Sequence, residues 1–452
     1  MEILIYCAFL FFSGFSVLRI IGEFSFWEEI VYGIGIGFSI VSLVMCLSSF
    51  IFNNFFFGYI FILLLSAIGS FLWIEKNVKK IKKSEKKVDF VIIILLFIIY
   101  MVYSKNPFFK LPLVVWDSWA SYGLKGKIFF IEQKIPFEIF KNTQFLSFLR
   151  IPFYPLNLAL NEAFIATLLN NFDEIRIKMI CFLFGLLNIL LIYISVREYS
   201  KCSFFAFIFG FIFAMIPFSI LHSVGYFAGI SDIIFTFYNF ASALFLYNFY
   251  LKGDKKYFFL SSLFLPFSIW TKFEGLISLI VLSMGMFLFF SLKELKKILF
   301  FYVLPSLSII FVGILFKTIT KTEFNYSLLR KGIFEDFFIK LSLFLKFSGK
   351  ELFLLHKWGI FWIVFIVFLL VNIFKLKDKE YLYFFGVMSA EFIFSLFVLA
   401  LLWDKLNIIE RIKTGPPLPV ERELLHILPL GIILISLNFC NFSKTKIDLK
   451  EL

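Results

Sequence analysis

Thirteen apolar runs, each about 15 to 23 residues and so of bilayer-spanning length, constrain this chain more than any other feature. They cover 1–21, 30–52, 55–74, 89–103, 176–196, 203–221, 228–250, 257–272, 275–292, 299–316, 358–374, 381–403 and 426–441. In hydrocarbon, backbone polar groups must be satisfied inside a helix or a closed barrel. The runs lack the alternation and turn spacing of barrel strands, so they predict helices. With 72 phenylalanines among 452 residues and a mean hydropathy of +0.94, an ordinary soluble domain is excluded. The expected fold is all-α, a polytopic transmembrane helical bundle of about 13 helices.

A formal charge of +13 could suggest nucleic acid, but its placement points to a membrane instead. Between the third and fourth runs, EKNVKKIKKSEKKVD holds Lys76, Lys79, Lys80, Lys82, Lys83, Lys86 and Lys87. The positive-inside rule assigns that loop to the cytoplasm. Arg197 with Lys201, Lys252 with Lys255 and Lys256, Lys293 with Lys296 and Lys297, and Lys375 with Lys377 and Lys379 fall on alternate loops and agree. Segments 104–175, 317–357 and 404–425 are therefore expected outside, with the turns at 222–229 and 272–275. The tail 442–452 is expected inside. The first run has no basic n-region or cleavage site and reads as a retained helix with the N-terminus outside. The expectation is a multi-pass protein of the cell (cytoplasmic) membrane with its functional groups on the external face.

Residues 1–88 hold few ionisable groups before Glu75, namely Glu2, Arg19, Glu23, Glu28 and Glu29, and read as a lipid-facing transmembrane appendage ending in the lysine loop. Residues 89–441 form the expected functional module. Its first external segment, 104–175, is too long for a connector and is broken by Pro107, Pro112, Pro136, Pro152 and Pro155. Two amphipathic juxtamembrane helices are expected there, one from Ser118 to about Glu132 and one in NLALNEAFIATLLNN from Asn157. No internal repeat indicates an inverted-repeat transporter. Cys7, Cys46, Cys181, Cys202 and Cys440 lack CxxC spacing, and His222, His356 and His426 lack metal-ligand spacing. No carboxylate cluster declares a metal, although a divalent ion is not excluded. Asn325-Tyr-Ser327 matches a glycosylation sequon at close to chance frequency.

Polar residues at membrane boundaries need an explanation, and WDSWASYGLKGK, Trp116 to Lys127, is the densest such stretch. In one reading Asp117 or Ser118 caps a helix and Trp116, Trp119 and Tyr122 belong to the aromatic belt. In the other, Asp117 is a general base, the aromatics stack on sugar faces, and Lys125 and Lys127 supply charge where a phosphate is held. Downstream, Tyr154 and Glu162 would face the same external cavity, or Glu162 would be a solvated helix residue. Asp232 follows the turn GYFAGISD as a cap or a site acid. In WTKFEG, Lys272 either pairs with Glu274 or reaches a lipid phosphate. Arg422 and His426 stand one turn apart; the arginine either snorkels or binds phosphate through two hydrogen bonds.

In order, WD-S-W-x-x-Y-x-x-K-x-K, YPL-N-L-x-L-x-E, GYxxG-x-x-D, TK-F-EG and ER-E-LLH-I-L-P resemble the landmarks of GT-C-type membrane glycosyltransferases. The likeness, over roughly 90–440, is to the RgtA/B/C/D-like group, and more distantly to aminoarabinose transferases and protein O-mannosyltransferases. It implies a GT-C-like fold and inverting transfer of one sugar from a polyprenyl-phosphate donor to an external glycan, lipid or protein acceptor. Asp117 would be the base, with Lys272 and Arg422 candidates for the carrier phosphate. Tyr122 stands where many relatives have tryptophan, and three runs precede the first external loop where a core member has one. The rivals are a transporter or flippase, a polymerase or ligase of lipid-linked glycans, and a scaffold. A transporter would need ionisable residues near the bilayer midplane, whereas the acids and lysines here are read at helix ends.

Overall fold

The structure, a computed structural model, describes residues 2–81, 90–141, 154–290, 292–320, 336–402, 408 and 419–439. Lys82, Lys83, Lys86, Lys87, Gln144, Arg150, Pro152, Asn325, Cys440 and the tail 442–452 lie outside these. Helices form wherever the apolar runs were read. They are α1 Glu2–Ile21, α2 Phe26–Phe52, α3 Phe56–Ile81 and α4 Phe90–Tyr103, then α5 Leu124–Glu132 and α6 Asn157–Leu169 in the long connection. There follow α7 Met179–Ser200, α8 Ser203–Met215, α9 Pro217–Ser223, α10 Asp232–Lys252, α11 Lys255–Thr271, α12 Gly275–Gly285 and α13 Leu292–Thr320. The chain closes with α14 Phe337–Glu351, α15 Phe361–Val371, α16 Lys379–Leu402 and α17 Val420–Ser436. Among the described residues there is one isolated bridge, Ala228 to Ile230, and no strand.

Among the described residues seven helices, α1, α2, α3, α7, α10, α13 and α16, are long and apolar enough to cross a membrane. The pair α8 and α9 would make an eighth, bent by 71° where Ile216 precedes Pro217. The remaining expected spans fall on helices of 11 to 17 residues, such as α15 and α17. Apolar length in the sequence therefore overstates crossing length, because a helix buried among others can be as apolar as one that meets lipid. The central helix α10 illustrates this, with every residue from Asp232 to Phe249 buried.

The first three helices are not all lipid-facing. A Cβ on Gly14 would lie 1.9 Å from the Gly33 carbonyl oxygen, and one on Gly37 1.8 Å from that of Leu10, so these glycines let α1 and α2 touch along their backbones. Most of α2 is buried, and its polar side chains reach the rest of the chain. Ser42 donates to Asn157 Oδ1 (2.7 Å), Ser39 to Tyr238 (2.9 Å), and Trp270 Nε1 to Ser42 (2.8 Å). In α1, Tyr6 donates to Asn161 Oδ1 at 3.1 Å. Only α3 keeps a mostly exposed apolar face, suited to lipid.

The same bonds correct the expected surface position of α6. Residues Asn157–Ala166 are all buried, and Asn157 and Asn161 are satisfied by Ser39, Thr271 and the Phe38 carbonyl rather than by water. The other helix expected in this segment forms over 118–132, with a π-helical turn at Ser118–Gly123 before α5.

Polar groups gather at two opposite ends of the bundle. At one, Lys76 pairs with Glu29, Lys252 pairs with Glu198 and donates to Tyr257, and Lys256 donates to the Glu23 carbonyl. Residues read as cytoplasmic are thus together, though Lys76 is buried in an ion pair rather than solvated. At the other end the starts of α10 and α17, the end of α11 and the turn before α5 converge.

Candidate functional site

Asp117 lies in the first turn of the helical stretch that leads into α5, yet its side chain makes no capping bond. Instead it accepts a 2.6 Å bond from Arg422 Nη2 across 305 residues of sequence. Arg422 enters in the first turn of α17, just after Pro419 sets the helix direction. Its Nε is also 4.0 Å from Asp232 Oδ2.

Asp232 is the hub. It opens α10 after a turn in which Gly229 has φ +99°, a conformation open to glycine, and a Cβ there would come within 2.4 Å of Leu113 Cδ2. That close contact seats the Asp232 turn on the Asp117 segment. Asp232 is fully buried; Oδ1 accepts from Lys272 Nζ at 2.8 Å and lies 3.1 Å from His426 Nε2. Oδ2, which makes no hydrogen bond, is 4.0 Å from His222 Nδ1. His426 Nδ1 in turn lies 3.3 Å from Glu423 Oε2, so one imidazole bridges two carboxylates.

Lys272 caps the C-terminal end of α11 and pairs with both Asp232 and Glu274, the latter at 2.9 Å. Burial disfavours its charge, but the two carboxylates outweigh that and raise the ammonium above the usual lysine value. Such buried pairs hold together while intact and become expensive when one partner is removed.

Tyrosines wall this cluster. Tyr122 hydroxyl is 2.6 Å from Ser231 Oγ, and Tyr154 meets Tyr122 and Phe273 edge-on at 5.5 and 5.7 Å between ring centroids. Beyond Tyr154 and Phe273 opens an apolar cavity of about 220 Å³ between α11, α12 and α13, lined by Ile269, Ile310 and Phe316 and with Lys317 at its rim. Phe273 thus faces the cavity while its chain neighbours Lys272 and Glu274 belong to the ion cluster. Trp116 and Trp119, 5.3 Å apart between ring centroids, are exposed beside Asp117.

Searches of protein families, curated proteins and solved structures find no match to this chain.

Of the residues singled out by sequence, Asp117, Asp232, Lys272, Glu274, Arg422 and His426 form one cluster, flanked by Tyr122 and Tyr154. Lys125 and Glu162 are fully buried behind it and do not join it. Lys125 donates to the Tyr154 carbonyl at 3.3 Å, and burial pulls its pKa down to about 7, with Glu162 opposing the shift. Neither carboxylate oxygen of Glu162 has a hydrogen-bond partner. Glu162 is therefore not the solvated residue that a surface helix would carry. Lys127 projects into solvent from α5. Asp117 is paired with Arg422, and Lys272 is held by two carboxylates, so any anion that reached these cations would compete with Asp117 for Arg422 and with Asp232 and Glu274 for Lys272.

Sequence assigned no site role to Glu423, His222, Lys317 or Glu391. Glu423 precedes His426 by three residues in VERELLH and was legible as a same-face pair. His222 lies on α9, between Phe218 and Phe227. Glu391 is near the middle of α16, which corrects the expectation that acids sit only at helix ends. No group of three or more His, Cys, Asp or Glu among the described residues is arranged around a metal position.

Proposed function

We propose that the chain is an inverting membrane glycosyltransferase that moves one sugar from a polyprenyl-phosphate donor to an external acceptor. The observation that carries this reading is the junction at Phe273: an apolar cavity of about 220 Å³ ends against a buried cluster with two cations. A lipid phosphate has that same division, a hydrocarbon chain joined to an anion. Its tail suits the cavity, and its phosphate suits Lys272 and Arg422, the arginine able to bind it in bidentate fashion.

In this mechanism the phosphate draws Arg422 away from Asp117, and the freed carboxylate takes the proton of an acceptor hydroxyl. That oxygen forms the new bond to the anomeric carbon as the bond from this carbon to the phosphate oxygen breaks. Polyprenyl phosphate departs with the electron pair, stabilised by Lys272 and Arg422. The exposed Trp116 and Trp119 offer faces for the acceptor. Asp117→Asn should cut transfer at least about a hundredfold while leaving donor binding in place. Lys272→Ala or Arg422→Ala should weaken donor use roughly ten- to a hundredfold, from charge-assisted bonds of about 1.5 to 3 kcal/mol. The test is mass spectrometry of surface lipids, glycans and glycoproteins with and without the protein, then with Asp117→Asn. Near-normal transfer by a folded Asp117→Asn protein would remove Asp117 from the chemistry.

One observation favours the transporter reading. Glu391 is an ionisable residue inside a spanning helix, where such groups often mark a transport path. Under that reading Asp117→Asn would leave function largely intact, so the same variant separates the two.

A further inference from the structure

Glu391 also opens a separate question. It is 4% exposed, and Asn239, 1% exposed, donates to its Oε2 at 2.8 Å. Glu391 Oε1 and Asn239 Oδ1 are both buried without a hydrogen-bond partner. Both residues line a small chamber beneath the ion cluster, together with Ser278, Ser395, Glu423 and Glu274. Its volume is about 10 Å³, room for one water-sized occupant. His426 also lines the chamber, but its two nitrogens face Glu423 and Asp232, so the groups left to a ligand are oxygen acceptors, a donor set suited to hard cations.

Charge points the same way. Asp117, Asp232, Glu274, Glu423 and Glu391 stand against Lys272 and Arg422, with His426 a third cation when protonated between its two carboxylates. His222, enclosed by phenyl rings with neither nitrogen hydrogen-bonded, suits the neutral form. Two negative charges are then left across a cluster in which Asp232, Glu423 and Glu391 are buried, and uncompensated charge there is expensive. A proton on Glu391 would remove one of these charges and leave the other.

We propose that this chamber binds one small hard divalent cation, held by Glu391 and Glu423 with the amide oxygen of Asn239 and the hydroxyls of Ser278 and Ser395. Only two carboxylates are needed, so the site is compatible with the lack, among the described residues, of any group of three or more His, Cys, Asp or Glu around a metal position. The cation neutralises the inner side of the cluster and keeps Glu423 fixed against His426. The inference does not rest on the glycosyltransferase reading, since it concerns binding alone.

The probe is Mn²⁺ added to the purified full-length protein after chelator treatment, read by electron paramagnetic resonance with Mg²⁺ and Ca²⁺ as competitors. The expected result is one stoichiometric Mn²⁺ per chain, displaced by one or both competitors. Glu391→Gln should weaken binding at least tenfold, and Asn239→Asp, which adds a charged oxygen, should retain it. Asp117→Asn, at the other side of the cluster, should leave the stoichiometry at one. If the wild-type protein binds no Mn²⁺ more tightly than Glu391→Gln, or if folded Asn239→Asp loses the ion, the chamber is not a cation site. The Asn239→Asp arm keeps the test decisive should Glu391→Gln fail to fold.

Discussion

Replacing Asp232 by asparagine keeps its volume and removes the charge that the whole cluster shares. Lys272 Nζ then retains only Glu274, at 2.9 Å and with a side chain 27% exposed, in place of a fully buried carboxylate at 2.8 Å. His426 loses the anion 3.1 Å from Nε2, and Arg422 the one 4.0 Å from Nε. Breaking a buried pair by removing one partner costs about 3 to 5 kcal/mol. The asparagine carbonyl still accepts one bond, returning about 1 kcal/mol, so the expected loss is about 2 to 4 kcal/mol. Glu274→Gln should cost only about 1 kcal/mol, because water reaches that carboxylate. Lys272→Met combined with Asp232→Asn should be less damaging than the sum of the two by about 2 kcal/mol, since the second change removes the charge stranded by the first. Reversible unfolding in mixed detergent micelles, followed by tryptophan fluorescence, measures all four proteins. A loss below about 1 kcal/mol for Asp232→Asn, or strict additivity in the double variant, would refute the hub assignment.

Gly229→Ala should destabilise by about 2 kcal/mol or more, from a positive φ and a Cβ 2.4 Å from Leu113. Leu113→Ala added to it should restore part of the loss by relieving the contact, while the strain remains. Lys125 gives a pH dependence: its folded pKa near 7, set by burial, lies below an unfolded value of about 10.4. Between those values the unfolded chain holds a proton that the folded one does not, so its contribution to stability rises with pH across that window. Lys125→Met should flatten the rise measured by thermal unfolding from pH 7 to 9.5; an unchanged slope would show that Lys125 stays charged in the fold. Cysteines introduced at the exposed positions Lys127 and Lys255 should be labelled from opposite sides of the membrane, the first from outside. Labelling of both from one side would overturn the alternation of ends.

By itself the sequence determined the class, the helices and the grouping of ends. Apolar run length dictates helices in hydrocarbon, and alternating basic loops separate one set of ends from the other; both are local properties of the chain. It also marked Asp117, Asp232, Lys272, Glu274, Arg422 and His426, because charged residues beside apolar runs are rare enough to stand out. What it left open was partnership. That Arg422 meets Asp117 across 305 residues, or that Asp232 rather than Asp117 lies at the centre, depends on which helix ends pack together. Burial was equally out of reach. Asn157 and Glu162 read as polar residues of a surface helix, yet α6 is enclosed because α1 and α2 approach closely at Gly14 and Gly37 and supply partners for its asparagines. The periodicity of one helix says which residues share a face, while the neighbours that face meets, and so the electrostatics of every buried group, are fixed only when the bundle assembles.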